Sequence, residues 1–191
     1  AEASSRLVDL TGEFDRAERL WNSLTEDALN IDEALFYLAR NVDYVKSARA
    51  FLIAAKGSFD VENWVDIGYA DDIFRHSNIA RTKEMLDGAC RNQKLAQKEL
   101  CCMVNQEASI AGFEPILVEF LDALFRDIFL DGRLGASLDR MDSALKRCEG
   151  FVAEVRAFQE QLHEKLDRAE KERTLLFQRM GGERRGQVAA P

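Results

Sequence analysis

Apolar residues recur at intervals of three and four along most of this chain, which is the spacing of one face of an α-helix. The spacing runs from Leu7 to Val45 near the start, and again from Leu138 to Met180, where no proline interrupts it. A repeat sustained over so many turns is typical of long helices that pack against other helices. The pattern therefore predicts an all-α protein.

Glycine and proline indicate where these helices end. Gly57 is a suitable C-terminal stop, and Pro115 suits the first turn of a helix, where its missing amide costs nothing. Asn30, with Glu33 three residues later, can cap a new helix, so we expect a kink there. We predict an elongated antiparallel bundle of three long, kinked helices over about 5–56, 59–108 and 115–180, forming a single domain over 1–180 with a disordered tail over 181–191.

Two tight corners would make the three helices run up, down and up. Facing residue numbers would then sum to about 116 for the first and second helices, and to about 223 for the second and third. The third helix would be longer than the second by about 17 residues, or ~25 Å. We therefore expect 164–180 to project beyond the bundle, and predict partner contacts for Leu162, Leu166, Ala169, Leu176 and Met180.

Two stretches carry more apolar residues than one buried face requires. The stretch 116–130 is apolar on all sides, and we predict partner contacts there for Leu117, Leu121 and Phe125. Either a second subunit or the helix that starts at Asn30 is expected to cover the stretch 116–130. The first helix has a similar surplus at Phe36, Tyr37, Phe51, Leu52 and Ile53. Together these surpluses predict a homodimer.

Composition narrows the classes of partner and the compartment. The 26 basic and 34 acidic residues of the 191 give a net charge of −8, which argues against a nucleic-acid binder. The four cysteines lie within helical patterns and are expected to be reduced and mostly buried, which favours a cytoplasmic location. No apolar run is long enough to span a membrane.

Residues that could carry catalysis are sparse. Only His76 and His163 are present, and neither is accompanied by a G-x-S-x-G motif. Glu160 and His163 form one Glu-x-x-His pair, but helical di-iron sites need two, and Asp72 with His76 does not supply the second. We therefore expect two solvent-exposed histidines, no metal or other cofactor, and no enzymatic activity.

Basic residues gather near the end of the third predicted helix. They alternate with acidic residues, which favours a solvated, salt-paired helix face. The alternative is contact with an acidic surface, through Lys165, Arg168, Lys171, Arg179, Arg184 and Arg185.

These observations favour a non-catalytic helical scaffold or adaptor, which forms a homodimer and presents coiled-coil surfaces to other helical proteins. The plan of three long kinked helices and a dimer resembles that of BAR domains. That resemblance implies a curved membrane-binding dimer as the alternative, although the net negative charge argues against an acidic lipid partner. A helical metal-dependent enzyme is the third and least favoured interpretation.

Overall fold

The computed structural model describes residues 2–62, 70–103 and 134–188. Every regular element within these ranges is an α-helix: α1 (Glu2–Glu62), α2 (Ala70–Cys101) and α3 (Leu134–Val188). The prediction of an all-α bundle of three long helices is confirmed.

The helix ends differ from those predicted. α1 continues past Gly57 to Glu62, and α3 continues past Met180 through Gly181 and Gly182 to Val188. Glycine keeps its backbone amide, so a helix passes through it at a cost of only about 1 kcal/mol relative to alanine. α1 also runs through Asn30 without interruption. The first part of the predicted third helix, 115–133, lies outside the described residues.

Two compact units make up the chain. Of the described residues, unit 1 contains 2–32, 102–103 and 157–188, and unit 2 contains 33–62, 70–101 and 134–156. α1 and α3 contribute residues to both units, whereas α2 belongs to unit 2. The assignment of 1–180 to one domain stays a prediction.

In unit 2, buried polar side chains link α1 to α2. The Asn41 amide donates to the Ala89 carbonyl at 2.8 Å, and the Thr82 hydroxyl lies 3.4 Å from the Ala48 carbonyl. Both pairs of residue numbers add up to 130, so the two helices are antiparallel with a register of 130 instead of the predicted 116. The shift follows from the helix ends, because α1 ends at Glu62 and α2 begins at Ala70.

In unit 2, α3 also runs antiparallel to α1. Arg49 pairs with Asp142, and Lys46 with Glu149 at 2.9 Å, so residue numbers on α3 rise as those on α1 fall. The predicted order of up, down and up is therefore wrong, since it made the first and third helices parallel. It depended on a tight corner at 111–113, which lies outside the described residues.

Unit 1 is built on an antiparallel pairing of α1 with α3. The Phe14 and Phe177 rings lie 6.0 Å apart, and the Gln159 amide donates to the Asp32 carboxylate. Apolar side chains from both helices fill the seam between them: Ala17, Leu24, Ala28 and Ile31 from α1, and Leu162, Ala169, Leu176 and Met180 from α3. The prediction that 164–180 projects uncovered is therefore wrong, because this part of α3 packs on the start of α1.

Candidate interaction surface

The residues predicted to contact a partner through α3 lie in the seam of unit 1. Leu162, Ala169, Leu176 and Met180 are no more than 8% exposed, and Leu166 is half-buried. These heptad-spaced residues are buried against the chain's own α1, so their side chains are not open to a partner. Leu117, Leu121 and Phe125 lie outside the described residues.

The basic residues predicted to meet an acidic surface are on the outside of α3. Lys165, Arg168, Lys171, Arg179, Arg184 and Arg185 are all exposed. Arg168 pairs with Glu164 one turn away at 3.4 Å, and Arg185 donates to the Gly181 carbonyl. These local contacts match a solvated helix face. Arg173 differs, because its guanidinium lies 4.0 Å from the centroid of the Trp21 ring in a cation–π contact.

The side chains that could carry chemistry are dispersed. His76 and His163 are both exposed, as predicted, and no group of three potential metal ligands occurs within 2–62, 70–103 and 134–188. Burial raises the pKa of the Cys148 thiol to about 12, which leaves it an unreactive thiol. Cys101 and Cys102 are exposed at the end of α2, so the expectation that the cysteines are mostly buried is wrong for this pair.

One surface of unit 2 is formed by two facing rows of residues at seven-residue spacing, and the row on α1 is aromatic. Tyr37, Tyr44 and Phe51 of α1 are half-buried, and opposite them lie Arg81, Gly88 and Leu95 of α2. We call this set of six residues the α1–α2 flank. The Arg81 guanidinium lies 5.5 Å from the centroid of the Phe51 ring, and the Tyr44 ring lies against Gly88. Residue numbers of both pairs add up to 132, which places Leu95 level with Tyr37.

Gly88 shapes the middle of the α1–α2 flank. A Cβ atom at this position would lie 2.8 to 3.0 Å from three atoms of the Tyr44 ring, closer than real Cβ atoms approach a neighbour. The absence of a side chain thus lets the Tyr44 ring lie down on α2. A shallow groove of about 250 Å³ runs beside this ring, lined by Arg40, Asp43, Tyr44, Ser47 and Met85.

Phe36 forms the outer rim of this surface. Its side chain is 56% exposed, and its ring lies 5.5 Å from that of Tyr37 in an edge-to-face arrangement. The Arg40 guanidinium lies 5.5 Å from the centroid of the Phe36 ring. Leu95, on the opposite row, is 40% exposed. Of the five residues in the surplus on the first helix, Leu52 is fully buried, whereas Phe36 and Ile53 are exposed.

Comparisons of this chain with protein families, with curated proteins and with solved structures find no match. Within the described ranges, no helix has the length and apolar character needed to cross a bilayer.

Proposed function

We propose that this protein is a non-catalytic helical scaffold that forms a homodimer and binds other helical proteins. The observation that carries the proposal is the open surface of unit 2, where Phe36 and Leu95 remain exposed beside the half-buried rings of the α1–α2 flank. Burial of apolar surface contributes a favourable free energy of about 25 cal/mol for each Å² removed from water. A large aromatic side chain more than half exposed therefore favours association through the surface that carries it.

Helical partners suit this surface because its aromatic row on α1 repeats every seven residues. Seven residues of an α-helix span about 10.5 Å, the distance over which a partner helix repeats its own apolar positions. A helix laid along the α1–α2 flank can therefore place one apolar side chain beside each of Tyr37, Tyr44 and Phe51. The proposed partners bind by the helix-in-groove mode.

Light scattering after size exclusion, over a hundredfold range of protein concentration, tests the proposal. We expect a dimer, and we expect the double substitution F36S/L95S to weaken association. Leu175 is exposed on α3 of unit 1, so L175S is the matched control and should leave association unchanged. A wild-type chain that stays monomeric and captures no helical protein from its own cell extract would overturn the proposal.

A second candidate, a membrane-binding dimer, is favoured by one observation on unit 1. Leu175 and Phe177 are exposed on the same part of α3 as the six exposed basic residues, and such a combination suits an acidic lipid surface. Sedimentation with vesicles containing phosphatidylserine, at low and high salt, separates the two candidates. Salt-sensitive binding that is lost in R168Q/K171Q/R179Q supports the membrane function. Absence of binding to these vesicles eliminates it.

A further inference from the structure

This inference rests on the proposed homodimer and concerns the outward face of α1 in unit 2. Phe36, Arg40, Asp43 and Ser47 follow one another at steps of four, three and four, so they share one face of the helix. Phe36, Arg40 and Asp43 are exposed and Ser47 is half-buried. The groove beside Tyr44 is lined by the last three of these four residues. The face carries one large apolar side chain, one cation, one anion and one small side chain, in that order.

This face is self-complementary: when two copies run in opposite directions, each residue of one copy meets a suitable residue of the other. If a second copy of the helix lies antiparallel on the first with its Asp43 opposite Arg40, then Ser47 falls opposite Phe36. Each facing pair of residue numbers adds up to 83, and a twofold axis between positions 40 and 43 generates both halves. Contacts of this kind define an isologous interface, in which the same patch serves both subunits.

We propose that two copies of this protein pair antiparallel through this face of α1. Arg40 of each subunit meets Asp43 of the partner subunit, and the Phe36 ring of each fills the space above the partner's Ser47. A parallel pairing in the same register would place Arg40 against Arg40 and Asp43 against Asp43, which costs association free energy through like-charge repulsion. Charge thus selects the antiparallel arrangement.

Two features of the structure prepare the face for this contact. Neither Arg40 nor Asp43 forms an ion pair with any other residue among those that the structure describes. In addition, the contact with the Phe36 ring positions the Arg40 guanidinium on the helix surface, which lowers the conformational entropy lost on binding. Both charges are therefore available to a second copy.

Charge reversal at the two positions tests the pairing. R40D places acidic residues at both positions and D43R places basic residues at both, so each variant alone is expected to dissociate, with Kd raised about tenfold or more. An equimolar mixture of R40D and D43R should restore a dimer containing one subunit of each kind. The double variant R40D/D43R should dimerise alone. Both positions are exposed, and circular dichroism checks that each variant keeps its helices.

The matched control is R147D, which reverses an exposed charge on α3 within the same unit. It should leave the Kd of the wild-type dimer unchanged. If the wild type is dimeric but R40D and D43R remain dimers, or if their mixture gives no heterodimer, this inference is overturned while the proposed homodimer stands. If the wild type is monomeric at every concentration, the homodimer itself fails.

Discussion

Gly88→Ala is a substitution for which helix propensity and packing predict opposite changes in the free energy of unfolding. Alanine in the interior of a helix is more favourable than glycine by about 1 kcal/mol, because glycine loses more backbone freedom on folding. At Gly88, however, the added Cβ would lie 2.8 Å from Cε1 and 2.9 Å from Cδ1 of the Tyr44 ring. The structure therefore decides which effect prevails.

The two magnitudes can be compared. Carbon atoms make their best contacts at about 3.5 to 4.0 Å, so the Tyr44 ring must move by about 0.7 Å or more to accept the methyl group. Overpacking of this kind costs about 1–3 kcal/mol. After the propensity gain is subtracted, we expect G88A to lower the free energy of unfolding by up to about 2 kcal/mol.

Urea unfolding followed by circular dichroism measures this difference. Gly150, on α3, provides the control, because nothing lies within 4 Å of its added Cβ, and G150A should stabilise by about 0.5–1 kcal/mol. In a Tyr44→Ala background the obstacle is gone, so G88A should become stabilising. If G88A stabilises the wild-type chain as much as G150A does, the close contact between Tyr44 and α2 is refuted.

Three further results are expected. Asn41→Ala removes the buried amide that bridges α1 and α2 and should destabilise by about 1–3 kcal/mol in the same urea assay, so an unchanged midpoint would contradict the bridge. Iodoacetamide should alkylate Cys101 in the native protein but Cys148 only in urea, because the reactive species is the thiolate; equal rates would contradict the burial of Cys148. The hydrogen bond from Arg49, aided by its charge, holds the pKa of Asp142 below the usual value for a carboxyl group. The pair therefore stabilises the folded protein fully at pH values above that usual value, and this stabilisation is lost as pH falls through the lowered pKa. An NMR titration of Asp142 should show the ordinary pKa restored in Arg49→Gln. An unchanged pKa of Asp142 in this variant would contradict the pairing.

The buried face of each helix could be predicted from the sequence. Leu24, Ile31, Leu38 and Val45 follow the heptad spacing of α1, and all four are buried. Burial of one helix face depends on residues within a few turns, so the pattern of apolar residues records it directly. The prediction succeeded because it required no knowledge of the partner.

The direction and register of the helices could not be predicted in the same way. A heptad pattern is equally compatible with a parallel and an antiparallel neighbour, and the direction comes from the connection between helices. The prediction places the first corner at Gly57. A glycine, however, ends a helix only when the residues that follow it also leave the helical conformation. The helix continues to Glu62, and the register of α1 against α2 shifts with it.

The prediction that the end of α3 overhangs the bundle was wrong for a related reason. Its correction moves the proposed binding surface from the end of α3 to unit 2. The difference between the predicted lengths of the second and third helices suggested that the end of α3 had no intramolecular neighbour. In the structure Arg173 stacks on Trp21, so the charge is accommodated by an aromatic face within the seam. Because α1 already covers this part of α3, the argument for association passes to unit 2, where Phe36 and Leu95 are among the exposed apolar side chains. A scaffold function therefore depends on the outward face of α1 and the α1–α2 flank, where substitutions should alter binding without unfolding the protein.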